Sequence, residues 1–234
     1  MDEFAPYHKF AAANRLDRLV TRLYDDGALT ADVFQGYQRY HYALVHKLRS
    51  AKYHLDRLQG KLTDDWQEAS VDPQTFMFTV NLSVDGFFYA AGSALDILAR
   101  EVITYFGQPL PDRIYFNTAR TVISRSHPND PILARLRDPT WYASFKEYRN
   151  SLTHELILAN DYSINIRTDG MNTTRTIVFP LPDDPRVSPD ERAFRNSPDA
   201  LVYLKRHFSR VLSVVNQVYT DIVTRGDSVG RLPL

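Results

Sequence analysis

Cysteine is absent from this sequence of 234 residues, and so are several sequence motifs that would indicate a function. Without cysteine, the chain has no disulfides, iron–sulfur clusters, thiolate zinc sites or cysteine nucleophiles. Glycine is scarce, at 9 residues, and neither a Walker-type loop nor a GxGxxG string occurs, which argues against ATP- and NAD-binding enzymes of the usual kinds. Neither sign of charge is in excess, since 28 basic residues balance 28 acidic ones. Any nucleic-acid-binding surface therefore has to be local.

The patterns of export and membrane insertion are also missing. Residues 1–4, MDEF, are acidic, whereas a signal peptide starts with a basic segment followed by an apolar one. No apolar run approaches the roughly 18 residues that span a membrane. We therefore expect a soluble, cytoplasmic protein without membrane contact. Its hydrophobic content of 44% is sufficient for a sizeable core.

Helical periodicity dominates what is present. Thr30 and Asp72 are typical N-caps, and Gly27 and Gly107 are typical helix ends. Apolar residues recur in steps of three and four, as in the packing seam of a coiled coil. This pattern predicts helices over residues 7–24, 31–62, 72–106, 113–124, 141–159 and 199–225.

One hairpin and two proline-rich segments interrupt the helices. Residues 162–179 contain two alternating stretches around Asp169-Gly170, a two-residue turn signal. Segment 107–139 contains five prolines and is interpreted as an elaborated connection, and segment 180–198 as a loop. The predicted fold is mainly α, an antiparallel helical bundle with an appended β-hairpin, in a single domain spanning 1–234.

A six-residue string in the helix predicted over 141–159 is the main candidate for chemistry. It runs from Arg149 through Asn150 to His154. An arginine offers a fixed fork of donors to phosphate oxygens, and a histidine transfers protons near neutral pH. At roughly 100° per residue, Asn150 and His154 share one helix face. The string therefore suits a protein that cuts RNA or handles nucleotides.

An arginine followed by a histidine is not rare in this chain. The pairs Arg39 and His46, Arg49 and His54, and Arg120 and His127 also have a similar spacing. Only Arg149 is followed directly by asparagine, and only its helix carries a second apolar face, through Ile157 and Leu158. A helix with two apolar sides is either central in its fold or shared with a partner.

The string YRNSLTHE, residues 148–155, resembles the signature of HEPN domains, helical ribonuclease and toxin modules of prokaryotic defence systems. In that family an arginine, a small polar residue and a histidine lie late in a helical bundle. The resemblance covers residues 72–225, with 1–71 as an N-terminal elaboration. It implies metal-independent RNA cleavage without a cofactor, at a site that two protomers of a homodimer share.

The resemblance also implies roles for individual residues. By match, the catalytic residues are Arg149, Asn150 and His154. The family often has a further polar residue on an earlier helix. The candidate for it in this chain is Asp96, with Ser93 close by. A role as a toxin or antiviral effector, with an antitoxin or defence-system partner, follows from the resemblance alone.

A basic stretch in the helix predicted over 31–62 is a second candidate. Arg49 and Lys52 closely precede Tyr53, and other tyrosines are interleaved with basic residues along the helix. Aromatic rings next to cations hold single-stranded RNA by base stacking. The simpler interpretation is a solvated face with its tyrosines turned toward the bundle. The histidines of this helix lack the spacing of a metal pair, and we expect no metal site.

Three functions therefore remain open. The first is the endoribonuclease, and the second is a HEPN-like protein without catalysis that binds RNA, a nucleotide or a partner protein. The third is a structural interaction module in which the string occurs by chance.

Overall fold

The computed structural model describes residues 11–64, 66–137, 140–154, 162–169, 172–188, 191–196 and 198–229. The side chains of 11, 64, 66–68, 153–154, 172–175 and 226–229 lie outside this description. The described residues form eight helices and one two-stranded antiparallel sheet, which confirms the predicted helical bundle with a hairpin. The elements are α1 Ala11–Asp25, α2 Ala31–Asp64, α3 Trp66–Val71, α4 Pro73–Tyr105, α5 Phe116–Ser126, α6 Ile132–Arg135, α7 Thr140–His154, β1 Ser163–Asp169, β2 Asn172–Val178 and α8 Ala200–Val229.

The predicted caps set the helix ends. The Thr30 hydroxyl accepts the N–H of Val33 at 3.4 Å, and a carboxylate oxygen of Asp72 accepts the N–H of Thr75 at 3.1 Å. Each bond satisfies a donor that the first turn of a helix leaves without a partner. Gly107 follows α4 with a φ of 61°, a conformation that glycine adopts at little cost. These local signals explain why α2 and α4 begin and end close to their predicted limits.

The hairpin differs from its prediction by one residue. Asp169 pairs with Asn172 and Ser163 pairs with Val178. The two connecting residues are therefore 170 and 171, which lie outside the described residues, and not Asp169-Gly170. Register follows from pairing along the whole ladder, whereas turn composition alone does not fix it.

The chain divides into two compact units, one built from 1–48, 93–139 and 209–234, and the other from 49–92 and 140–208. The first unit has an aliphatic core in which Leu44, Leu98 and Val215 are almost fully buried. Segment 107–139 is tied to α8 within this unit by an ion pair between Arg135 and Asp221 at 2.9 Å.

The second unit has an aromatic core. The ring of Phe88 on α4 lies 5.2 Å from Phe145 and 5.7 Å from Tyr148 on α7. On α8, Tyr203 and His207 stack at 3.9 Å. Offset and edge contacts of this kind each contribute about 0.5–1.5 kcal/mol beyond the burial of the rings. This packing fixes the position of α7.

Helix α4 is rich in apolar residues. Among the described residues it is the one helix long and apolar enough to cross a membrane by length and composition, with a mean hydropathy of 1.2 over its most apolar stretch. That stretch is 61% buried inside the protein. Buried core helices meet the same criterion.

Candidate functional site

Helix α7 carries the Arg149 to His154 string and is held by its apolar face. Phe145 and Tyr148 are buried, 0% and 3% exposed, against the aromatic core of the second unit. The predicted continuation of this helix to residue 159 lies outside the described residues. Because the buried face is fixed, the positions of Arg149 and Asn150 relative to the unit are fixed as well.

Arg149 lies across the backbone of α4. A methyl group built at Gly92 would lie 2.6 Å from Cδ of Arg149 and 2.7 Å from its Nε. Both distances are far below van der Waals contact, so only a glycine at this position leaves room for the arginine as it stands. The side chain of Arg149 is half-buried, and its guanidinium group is therefore less free to move than that of a surface arginine.

Asn150 lies on the opposite side of α7 from the aromatic core. Asn150 is exposed. His154 is the last residue of the helix, and its side chain lies outside the described part of the structure. Four residues separate the two positions, which places them one turn apart on one face.

The loop over 180–198 is fastened to the string, a relation that the sequence does not reveal. The hydroxyl of Tyr148 donates to the carbonyl oxygen of Pro182 at 2.5 Å, and the hydroxyl of Ser151 donates to that of Pro185 at 2.6 Å. Burial raises the pKa of Tyr148, so its hydroxyl keeps the proton that it donates. These donors fasten the loop to α7 on the side that lies about 100° or more around the helix from Arg149 and Asn150.

Asp96 and Ser93 belong to the first unit. A carboxylate oxygen of Asp96 accepts the N–H of Phe116 at 3.1 Å, at the start of α5. Asp96 therefore has a structural role, since it accepts an N–H of the first turn of α5. The two residues are 20 positions apart, so no local sequence pattern reveals this contact. Ser93 is half-buried on α4.

In the basic stretch of α2, the ring of Tyr53 is exposed to solvent. Tyr53 is 58% exposed, and its hydroxyl lies 3.5 Å from a guanidinium nitrogen of Arg57. Arg49 is exposed, whereas Lys52 is half-buried and forms an ion pair with Asp56. The exposure of Tyr53 and Tyr42 is contrary to the simpler interpretation of this stretch, whereas Tyr37 is buried as that interpretation expects.

The other arginine–histidine pairs have different surroundings. The ring of His54 packs flat on Gly86, where a methyl group would lie 2.2 Å from it. The ring of His127 lies 5.2 Å from that of Phe106, and His46 is exposed on α2. Two of these histidines therefore have packing roles.

A buried polar cluster in the first unit was not singled out by its sequence. The hydroxyl of Tyr219 donates to one oxygen of Glu101 at 2.5 Å, and Nδ1 of His41 lies 3.4 Å from the other. All three residues are at most 4% exposed. Each polar group of the cluster therefore has a hydrogen-bond partner, as buried polar groups in folded proteins generally do.

Within the described residues, no three histidine, aspartate or glutamate side chains are grouped so that they could hold a metal ion. No protein-family model matches the chain, nor does any curated protein or solved structure.

Proposed function

We propose that this protein is a metal-independent endoribonuclease of the HEPN type, in which Arg149, Asn150 and His154 act on RNA. The observation that carries the proposal is the placement of Arg149 over Gly92, with the exposed Asn150 beside it and His154 one turn further along α7. A phosphate-binding arginine gains from such a fixed position because less side-chain freedom is lost on binding.

The chemistry uses the substrate's own nucleophile. The 2′-oxygen of a ribose attacks the adjacent phosphorus, its proton passes to a base, and the bond to the 5′-oxygen breaks as that oxygen receives a proton. A histidine suits both proton transfers near neutral pH. An arginine stabilises the negative charge that develops on the phosphoryl oxygens. The products are a 2′,3′-cyclic phosphate and a 5′-hydroxyl.

A homodimer completes the proposal, with one His154 from each protomer as acid and base. An apolar stripe on α4 of the second unit supports it. Phe78, Leu82 and Tyr89 are 68%, 47% and 62% exposed, and their spacing places them on one helix face together with Gly92. Apolar groups of this size on one face are typical of a surface that a partner covers.

The decisive experiment is cleavage of RNA by the purified protein in EDTA, with analysis of the product ends. We expect cyclic phosphate ends and a rate that falls about 10²–10⁴-fold in His154→Ala. Dilution below the dimer dissociation constant should also abolish cleavage. His46→Ala is the matched control, because it removes an exposed histidine from another arginine–histidine pair.

Two results would contradict the proposal. One is a His154→Ala protein that cleaves as fast as its parent, and the other is the absence of cleavage under all conditions. Full activity in a forced monomer would refute only the shared site.

RNA binding without catalysis is the second candidate function. The exposed ring of Tyr53 beside Arg57 favours it, because such a pair binds single strands whether or not a nuclease site is present. Retention of RNA without cyclic phosphate ends distinguishes it from the nuclease.

A further inference from the structure

An open cleft lies between α1 and α8 of the first unit. Its volume is about 340 Å³, and its described lining consists of Arg15, Arg18, Leu19 and Arg22 from α1 and Val223 from α8. Small-molecule sites have volumes of about 300–1,000 Å³, so the cleft has room for a small ligand. Leu19 and Val223 are buried and form its apolar floor.

The three arginines make this cleft strongly positive. Arg15, Arg18 and Arg22 are exposed and are three and four residues apart, so they share one face of α1. None of the described lining residues is acidic. Asp17 occurs between them in the chain, but at about 100° per residue it lies roughly 140–160° around the helix from Arg15 and Arg22.

The acids of α8 do not cancel this charge. Asp221 forms an ion pair with Arg135 at 2.9 Å. Asp227 is one turn beyond Val223 in α8, and its side chain lies outside the described residues. A single carboxylate at that position would still leave the cleft with an excess of positive charge.

The arginine cluster destabilises α1 when no anion is bound. Like charges three or four residues apart repel each other on a helix, and Arg18 has an arginine at each of these distances. The chain as a whole contains equal numbers of basic and acidic residues, so the cluster does not simply reflect a basic composition. An anion in the cleft would offset the repulsion.

We propose that the cleft between α1 and α8 binds a short chain of linked phosphates, which Arg15, Arg18 and Arg22 contact together. The planar fork of a guanidinium group fits two oxygens of one phosphate and stays charged at all physiological pH values. Three such forks within two turns of one helix match a ligand with several phosphate groups better than a single anion. This site goes beyond the proposed function and does not depend on it.

Inorganic tripolyphosphate is the probe, titrated into the purified protein by calorimetry. We expect one saturable site, with an affinity at least about 10-fold higher than for orthophosphate, because linked phosphates engage several arginines at once. Arg15→Gln, Arg18→Gln and Arg22→Gln should each weaken binding about 10-fold, as expected for the loss of a charge-assisted contact. Arg39→Gln is the matched control, since it removes an exposed arginine from α2 of the same unit.

Thermal unfolding separates a lost contact from a damaged fold. Without ligand, Arg18→Gln should have the Tm of its parent or a slightly higher one, because a repulsion has been removed. Tripolyphosphate at about 100 times Kd should raise the Tm of the parent and of Arg39→Gln by about 5–10 °C. The rise in Arg18→Gln at the same concentration should be clearly smaller.

Several results would overturn the inference. One is the absence of saturable binding, and another is equal affinity in the parent and the three cleft variants. An equal loss in Arg39→Gln would reveal a general effect of charge. Binding of single-stranded RNA that needs these arginines, without binding of tripolyphosphate, would assign the surface to RNA instead. RNA cleavage should be unchanged in all of these variants, so either proposal can fail while the other stands.

Discussion

Asp85 on α4 has a carboxylate group whose surroundings disfavour its ionised form. Its Oδ1 is buried and has no hydrogen-bond partner among the described residues. Burial raises the pKa of this carboxyl from 3.8 to about 6, because a low dielectric disfavours the ionised form. At neutral pH the protein therefore carries a partly desolvated negative charge that nothing described offsets, and replacing it with a neutral side chain should stabilise the fold.

The magnitude follows from the shift in pKa. A rise of roughly two pKa units corresponds to about 3 kcal/mol. Asp85 is only half-buried, so screening by water reduces this value, and we expect about 1–2 kcal/mol. The folded state binds this proton more tightly than the unfolded state. Its contribution is therefore fully present below pH 4 and is lost as the pH rises through about 6.

Asp85→Asn tests this reasoning, because asparagine has nearly the same shape and cannot ionise. Relative to its parent, the variant should gain about 1–2 kcal/mol at neutral pH, which corresponds to about 2–8 °C in Tm for a chain of this size. The gain should vanish toward pH 4. Thermal unfolding of both proteins across a series of buffers provides the measurement.

Asp169→Asn is the control, since it removes an exposed carboxylate from β1 of the same unit and should change Tm little at any pH. A gain in Asp85→Asn that is equal at pH 4 and pH 7 would show that the charge is not the cause. A loss of stability at neutral pH would refute the reasoning outright, because it would mean that the carboxylate has a stabilising partner.

Two further predictions concern the proposed RNA contacts. Gly92→Ala displaces the flexible end of Arg149 and should lower RNA cleavage about 10- to 100-fold with little change in Tm. The control is Gly60→Ala, whose new methyl group would meet nothing within 4 Å; it should leave cleavage intact and stabilise α2 by about 0.5–1 kcal/mol. Equal activity in the two variants would contradict the role of Gly92. Tyr53→Ala should cost about 1–3 kcal/mol of affinity for single-stranded RNA, measured by fluorescence anisotropy. The same change at Tyr24, which precedes two aspartates, should have no effect, and similar losses in both would remove Tyr53 from the binding surface.

The helices were predictable because their signals are local. Asp72 caps α4 through a donor only three residues away, and periodicity alone gives the buried face of α7. The outward direction of Tyr53 could also have been found. Leu55 and Leu58 are buried on the same helix, and a residue two positions before Leu55 points away from that face at about 100° per residue.

The remainder depends on contacts between distant positions. Ser151 binds the carbonyl of Pro185 across 34 residues, and no spacing rule connects them. Arg149 lies over Gly92 because two helices pack side by side, which a single helix pattern does not contain. The site helix was therefore predictable from the sequence, while the glycine beneath it and the loop beside it were not.

The division of the chain into two units has a consequence for its synthesis. Helix α8 supplies Phe208 to one unit and Val215 to the other, and both residues are buried. Neither unit can bury its full core before α8 has left the ribosome, so apolar surface of both units stays exposed until that helix has been made. In chains that stall or are cleaved before Ala200, neither unit should fold, and such chains should be bound by chaperones or degraded by proteases.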